Sequence, residues 1–384
     1  SLEYANKRNL RDKDWPLPEL FKGGGDRLLK NENGTFIDVS EEAGIYGSII
    51  GFGLGVIIGD VNNDLLPDIY VCNDFYERDY LYINQGNGTF KDQIKDQMPH
   101  MSMSSMGVDM ADINNDGLQD IYVADMLQED DKRLKELADF ESYFVYQLKL
   151  KRDFHHQYMQ NTLQLNNGNN TFSEIGFYSN TAQTDWSWSP LFFDMDNDGF
   201  KDLFVTNGLY RDLTDQDFLN YFANSIIQKM AITGKKEEIE AIINKMPSTP
   251  ITNYAFKNNH NLKFSNETIN WGFKEKTYSN GAAYSDLDND GDLDLIINNV
   301  NQKSLVYENT ATQKLKHTYL SVQLKGDTKN TFGIGAQVKL YSENQIFMQE
   351  QMPSRGFQSS VDYKLVFGLD SIKKIDSIKV FWPN

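Results

Sequence analysis

The chain has 384 residues and a mass of 44.1 kDa, with 37 Lys and Arg against 55 Asp and Glu, a net charge of −18 and a pI near 4.7. A 13% aromatic share excludes global disorder, and no apolar run reaches the roughly 20 residues that a membrane-spanning helix needs. Acidity on this scale argues against nucleic acid as a partner, because phosphates are bound by clustered Lys and Arg.

The chain opens on Ser1-Leu2-Glu3 and stops at Phe381-Trp382-Pro383-Asn384, inside what reads as a strand, so a segment of a longer protein is expected. The single cysteine, Cys72, lies in the apolar run Ile69-Tyr70-Val71-Cys72 and reads as a buried small hydrophobe, not as part of a disulfide framework or zinc cluster. Internal repeats organise most of the chain. Four Asp-rich nonapeptides, Asp60–Asp68, Asp112–Asp120, Asp194–Asp202 and Asp286–Asp294, each run directly into a short apolar stretch. A small residue, Gly55, Gly107, Ser189 or Gly281, stands five positions ahead of each. A second element, polar and Asn-Gly-like, recurs at Asn31–Phe36, Asn84–Phe90, Asn166–Phe172 and, in degraded form, Asn258–Phe264. Such sequences between apolar runs are hairpin signals. Each unit therefore reads strand, acidic turn, strand, loop, strand, polar turn, strand, which is one four-stranded antiparallel blade. The expected fold is all-β: a β-propeller of four-stranded blades, seven-bladed when complete, over residues 1–316.

The widening distance between successive acidic loops predicts insertions near 128–158 and 211–250. In the first, Leu134, Leu137 and Phe140 share a helical face. The second opens on Thr214-Asp-Gln-Asp217, a capping-box pattern, and continues with the apolar stripe Phe218, Leu219, Phe222, Ile226 and Met230. A further helical stretch with Ile239, Ile242, Ile243 and Met246 ends at Pro247. From His317 the texture changes to alternating strands without acidic loops, and residues 317–384 read as a separate, truncated β module.

The acidic loops carry the clearest chemistry. Oxygen side chains fall at positions 1, 3, 5 and 9, with a backbone carbonyl at position 7. The ligand sets are Asp60, Asn62, Asp64, Leu66 (carbonyl) and Asp68; Asp112, Asn114, Asp116, Leu118 (carbonyl) and Asp120; Asp194, Asp196, Asp198, Phe200 (carbonyl) and Asp202; and Asp286, Asp288, Asp290, Asp292 (carbonyl) and Asp294. Hard oxygens in this number suit Ca²⁺, up to four ions, better than Mg²⁺ with its strict octahedron, or zinc and copper with their need for His or Cys. Gly117, Gly199 and Gly291 at position 6 permit the positive φ that wraps chain around an ion. The first loop has Leu65 at that position and Pro67 at position 8, and is expected to be the weakest. An EF-hand is excluded, since its twelfth-position Glu is replaced by Val71, Val123, Val205 and Ile297 in apolar strands.

Other candidates are weaker. His155 and His156 could form a base pair or metal site but read as surface or inter-blade packing. Trp186 and Trp188 could stack on sugar rings but read as propeller core. Arg211, Asp212, Asp215 and Asp217 are the most site-like polar group outside the acidic loops, although a solvated helix start accounts for them. The sequons at Asn33 and Asn87 fall on repeat turns, whose geometry alone accounts for them. Neither a dinucleotide fingerprint nor a nucleophile elbow is present: Gly51-Phe-Gly-Leu-Gly55 precedes a strand.

Phe52-Gly53 with Asp60–Asp68 and its copies resemble the FG-GAP/VCBS repeats of integrin-α-type propellers, whose acidic loops bind calcium. Asn330–Ala336, Pro353–Gln358, Phe367-Gly-Leu369 and Val380–Pro383 resemble the ASPIC/UnbV module, which accompanies such repeats in bacterial surface lipoproteins and in the cartilage acidic protein family; Phe36–Gly44 also fits that group. The resemblance implies a secreted or cell-surface propeller, such as an outer-membrane lipoprotein, without supplying an activity. The expected function is non-enzymatic binding or adhesion to a glycan, peptide or protein partner, touching a membrane only through a lipid anchor or partner complex. The alternatives are a polysaccharide lyase or hydrolase using insertion carboxylates with His155 or His156, or a structural subunit of an outer-membrane uptake or secretion complex.

Overall fold

The computed structural model describes residues 25–47, 50–138, 141–234, 243–327, 329–342 and 345–383. Its first element is a hairpin of β1 (Leu29–Glu32) and β2 (Thr35–Asp38) around the turn at Asn33 and Gly34. The repeat units come next as antiparallel sheets in chain order. The first sheet is β3 (Gly53–Gly59), β4 (Asp68–Asn73), β5 (Tyr80–Asn84) and β6 (Phe90–Asp92). After β7 (Met101–Ser102), the second comprises β8 (Val108–Ala111), β9 (Asp120–Val123), β11 (Thr162–Asn166) and β12 (Phe172–Glu174); β10 (Gln157–Tyr158) instead pairs in parallel with β7. The third is β13 (Ser187–Phe193), β14 (Asp202–Asn207), β16 (Tyr254–Asn258) and β17 (Phe264–Asn266), with β15 (Ile251–Thr252) and β18 (Lys276–Thr277) as a side pair. The fourth holds three strands, β19 (Ser279–Ser285), β20 (Asp294–Asn299) and β21 (Leu305–Tyr307), because the chain turns into a short helix, Ala311–Leu315, where a fourth would start.

The all-β, propeller-like fold read from the repeats is thus present, and its cores lie between successive sheets. Ile57, Tyr70 and Leu81 meet Val108, Met110 and Ile121; Tyr122 and Leu163 meet Phe192, Leu203 and Phe256; Leu191 and Phe204 meet Ala282, Leu295 and Ile297. Cys72 is fully buried within the first of these.

The C-terminal region forms β22 (Tyr319–Gln323), β23 (Gln337–Ser342), β24 (Gln345–Glu350), β25 (Ser354–Arg355), β26 (Ser359–Ser360), β27 (Lys364–Gly368) and β28 (Ser377–Phe381). Sheets β22–β27 and β24–β23–β28 enclose their own core of Val338, Leu340, Phe347, Leu365 and Phe367. The short hairpin β25–β26 leaves this core and packs where the innermost strands of the four sheets converge, touching β3, β8, β13 and β19. Gly356 exchanges two backbone hydrogen bonds with Val108, at 3.0 and 3.2 Å, and Phe357 N donates to Ser189 Oγ at 3.1 Å.

Close approach of the neighbouring sheet and of this hairpin accounts for two of the repeated small residues. A Cβ on Gly107 would lie 2.2 Å from the Trp188 carbonyl oxygen and 3.0 Å from that of Gly356; one on Gly281 would lie 2.7 Å from Ser359 Oγ. Arg355 anchors the hairpin. Its Nη1 donates to Asp109 Oδ1 at 2.7 Å and to the Met110 carbonyl at 2.6 Å, while Asp109 Oδ2 accepts from Phe192 N at 2.6 Å. One buried carboxylate therefore joins the second sheet, the third and the C-terminal hairpin.

Both insertions contain helices. Asp130 caps Asp131–Leu137 by accepting from Lys132 N and Arg133 N, and Ser142 caps Tyr143–Lys151. Phe140 lies outside the described residues, as do Ile239 and Ile242 of the second insertion. There, a π-helical turn, Phe218–Ala223, leads into Asn224–Thr233. Phe218 and Ile226 are buried, whereas Leu219 and Phe222 face solvent. The expected cap is corrected: Asp215, not Thr214, accepts from Phe218 N, at 2.6 Å.

Candidate metal centres

Each acidic nonapeptide links the first and second strands of its sheet and folds on its own carboxylates. In the third loop Asp194 accepts from Asp198 N at 3.1 Å and Gly199 N at 2.8 Å. Asp202 accepts from Met195 N and Asn258 N, both at 2.9 Å. The position-9 Asp has this double role in every copy: Asp68, Asp120 and Asp294 each take one bond from position 2 of their own loop and one from the Asn just past or at the end of the third strand.

Two series of asparagines, unread in the sequence beyond their turn character, couple one loop to the next. At position 4, Asn63, Asn115, Asn197 and Asn289 all adopt left-handed φ between 57° and 61°, a region Asn tolerates because its short amide bonds locally. The first three donate Nδ2 to the position-6 carbonyl of the next loop: Gly117 at 3.5 Å, Gly199 at 3.1 Å and Gly291 at 3.0 Å. In return Asn166, Asn258 and Asn309 donate to the position-2 carbonyls of the preceding loops, Val61, Ile113 and Met195, each at 2.8 Å. The sequence signal was present as an invariable Asn at both repeat positions.

Oxygen atoms of Asp194, Asp196 and Asp202, and of Asp286, Asp288 and Asp290, lie within 4.8 Å of one another. These two sets fit a hard divalent cation in donor type and clustering. The first and second loops replace the position-3 carboxylate with Asn62 and Asn114, each of whose Nδ2 donates to the position-5 Asp at 2.9–3.0 Å. Protein cations stand beside the stronger sets. Lys257 Nζ bonds Asp196 and reaches Asp198 at 2.8 Å; Lys364 Nζ lies 3.1 Å from Asp286 and 2.8 Å from Asn289 Oδ1.

The C-terminal region covers this end of the sheets. Gln337 Nε2 donates to Asp60 at 2.9 Å, Glu350 accepts from Asp60 N at 3.1 Å, and His317 Nδ1 sits 2.7 Å from the Asp196 carbonyl. A Cβ on Gly199 would meet Phe347 at 2.6 Å, and one on Gly291 would enter the Tyr319 ring. The left-handed backbone at position 6 is met by Leu65 in the first loop, at φ 66°. Leu65→Gly should therefore stabilise the protein by about 1 kcal/mol, since a branched side chain is strained there; urea denaturation reads this, and no gain would show that the strain is relieved elsewhere.

Burial raises the carboxyls of Asp68, Asp112 and Asp194 from the ordinary 3.8 to about 7. A carboxyl held higher in the folded than in the unfolded chain stabilises the fold fully below pH ~4 and loses that contribution as pH rises through ~7. Without metal, the melting temperature should fall between pH 5 and 8. Excess calcium should oppose the fall, because the metal binds only deprotonated carboxylates. Melting curves at both pH values, with chelator and with calcium, check the sign; a rise with pH in chelator would contradict it.

The remaining sequence candidates are engaged elsewhere. His155 Nε2 lies 3.0 Å from the Met98 carbonyl, and burial lowers its pKa; His156 Nδ1 lies 2.6 Å from Tyr146 Oη. Trp188, half-buried, donates to the Gly208 carbonyl at 2.9 Å and packs 4.9 Å from Phe357. Arg211 bonds the Met246 carbonyl and Asn244, while Arg133 of the first insertion pairs with Asp185 and, at 3.4 Å, with Asp212 of the second. Asp215 is the helix cap of the second insertion. These groups tie the insertions down and are not gathered into one constellation.

Residues 60–123 and 154–205 match the FG-GAP-like repeat, and residues 326–384 match ASPIC and UnbV. Integrin alpha-3 of Mus musculus is 35% identical over 109 residues, covering 25% of this chain and 10% of that protein; integrin alpha-3 of Cricetulus griseus is 34% identical over 109 residues with the same coverage. The chain thus spans about a tenth of the length of these relatives. A solved structure describing recognition of non-reducing terminal N-acetylglucosamine by an Agrocybe aegerita lectin aligns with a TM-score of 0.30 at 14% identity, over 72% of this chain and 59% of that one. Among the described residues no helix is long and apolar enough to cross a membrane.

Proposed function

From a chain that carries FG-GAP-like repeats and an ASPIC/UnbV segment, we propose a calcium-stabilised, non-enzymatic binding scaffold of the cell surface or extracellular space. In this reading residues 1–316 form the propeller and 317–384 the second module. The calcium ligands are the four position 1, 3, 5, 7 and 9 sets, with the third and fourth loops strongest. Bound calcium would replace the mutual repulsion of the loop carboxylates and fix the platform that the C-terminal region covers.

One observation carries the binding role: the two ends of the sheets are unlike. At the acidic-loop end the C-terminal region packs over the turns. At the opposite end, where β4, β9 and β14 finish, both insertions emerge, joined by Arg133 and Asp212. There the chain exposes Phe75, Tyr143, Phe144 and Tyr221, the last three at 72–76% of their full area. Exposed aromatics on anchored elements are characteristic of recognition surfaces.

Arrays of glycans and peptides probed with calcium-saturated protein test the reading, followed by hydrogen exchange with the strongest hit. Protection confined to the insertions and the Phe75 loop is expected. Protection only around the acidic loops, or turnover of the hit, would contradict it.

A further inference from the structure

The fourth sheet stops one strand short of the first three, and those three show what its edge can take. In each sheet the residue two places after the position-9 Asp pairs with one third-strand residue: Leu81, Leu163, Ala255 and, in the fourth, Val306. The first three turn both backbone groups toward the outer strand. Their carbonyls accept from Gln93 N, Ile175 N and Glu267 N, each at 2.8 Å. Their N–H groups donate to Asp92 Oδ1, Glu174 Oε1 and Thr268 Oγ1 at 3.0–3.3 Å. Val306, in the same register, makes neither bond among the described residues. A strand edge of this kind is a template for one more strand.

The outer strands also bring a phenylalanine to the core. Phe172 and Phe264 are buried in the cores between their own sheet and the preceding one. Phe264 shares its core with Ala111, Ile113, Leu203 and Phe256. At the same repeat positions one unit further on stand Phe193, Met195, Leu295 and Tyr307, and all four line a cavity of about 300 Å³ beside β21. Trp271 and Phe273 complete its apolar wall. Packing fixes that wall: the Phe273 ring lies 5.1 Å from Phe204 and 4.9 Å from Tyr307, whose hydroxyl donates to Glu275 at 3.0 Å. An apolar cavity of about 150 Å³ already accepts a benzene ring. The open edge and the aromatic slot therefore stand together in the fourth sheet, as the β16 edge and the Phe264 slot do in the third.

We propose that β21 docks an extended strand of a partner polypeptide from outside these 384 residues, antiparallel and in the register of β17, with an aromatic side chain in this cavity. The strands it imitates state its chemistry. Thr89–Asp92, Thr171–Glu174 and Lys263–Asn266 each carry Phe second, a polar residue third, and a carboxylate or amide fourth. Among the described residues the chain has no such strand to spare, since β6, β12 and β17 complete their own sheets and β2 pairs with β1. A second copy offers none either. Main-chain bonds to the edge supply affinity, and the slot supplies selection for the aromatic side chain. No residue of either insertion lines the cavity; the site stands apart from the face proposed above and does not rest on it.

The test uses the full calcium-saturated chain, with two peptides copied from its own outer strands, residues 169–176 and 261–268, as probes. Calorimetry measures binding and hydrogen exchange locates it. At least one peptide should bind and protect β21. Replacing the peptide's Phe with Ala should weaken binding about 10- to 100-fold, the effect of losing one buried aromatic side chain. N-methylation at the position of Glu267 should also weaken it, because that N–H is the donor to the third-strand carbonyl. N-methylation at the position of Asn266 should not, since neighbouring amides of a strand face opposite edges. On the chain, Val306→Pro should abolish binding and leave the melting temperature unchanged, because an edge strand tolerates Pro where its N–H faces outward. No binding of either peptide at millimolar concentration, or binding indifferent to the Phe and Val306 changes, would overturn the site. Protection of β21 in the peptide-free chain would overturn the partner: independent of protein concentration, it would give the edge to the same polypeptide, and rising with concentration, to a second copy. The array experiment reads the insertion face separately, so either reading can fail alone.

Discussion

Arg355→Ala should destabilise the folded protein by about 3–5 kcal/mol, the usual cost of removing one partner from a buried ion pair. The substitution leaves Asp109, whose side chain is fully buried, without its cation. Burial already pushes the Asp109 carboxyl up, with Arg355 acting against that shift. The loss also frees the Met110 carbonyl and loosens the hairpin that touches all four sheets. Arg355→Lys should recover only part of the loss, because a single ammonium cannot reproduce the guanidinium contacts to Asp109, Met110 and Met352. The double variant Asp109→Asn with Arg355→Met should lie well above Arg355→Ala, since no charge is then stranded. Urea denaturation at fixed calcium measures all three. A cost below about 1 kcal/mol for Arg355→Ala would mean the hairpin is held mainly by Gly356 and Phe357.

Calcium removal should have the larger effect. Each site that binds the folded chain alone contributes about 2.7 kcal/mol when free calcium exceeds its dissociation constant a hundredfold. Filled third and fourth loops would therefore account for roughly 5 kcal/mol, and the melting temperature should fall on the order of 10 °C in chelator. The response should extend beyond the loops. Asp202 and Asp294 hold Asn258 and Asn309, whose amides reach the preceding loops, and Lys364 and His317 join the third and fourth loops to the C-terminal region. Hydrogen exchange in chelator should accordingly rise in β22 and β27 as well as in the loops. Exchange confined to the loops would show that the C-terminal region docks independently of them.

The repeat architecture was legible because it is local: an acidic turn, an apolar strand and an Asn-Gly turn each declare themselves within a few residues. The degraded copy at Asn258–Phe264 proved a full hairpin, since Asn258 pairs with Phe264 and keeps its bonds to Asp202 and Ile113. The fourth sheet was read as four-stranded but ends at β21, because the residues after Asn309 form a helix in place of a turn. The reason for the small residues Gly107 and Gly281 could not be read at all. For Gly107 it lies first in the Trp188 backbone of the next sheet and then in the C-terminal hairpin, for Gly281 in that hairpin, some 80 to 250 positions further along the chain, and no periodicity encodes such a meeting. The helix cap was misplaced by one residue because Thr214 and Asp215 are both acceptable caps, and backbone geometry decides between them.

The most direct test of the central claim is the calcium content of the intact chain, measured by calorimetry and elemental analysis after exhaustive chelation and refilling. More than one equivalent of calcium, and at most four, should return per chain. Asp194→Asn with Asp198→Asn should remove one equivalent, and Asp286→Asn with Asp290→Asn another. A chain that takes up no calcium at millimolar concentration, and melts at the same temperature with and without chelator, would contradict the account.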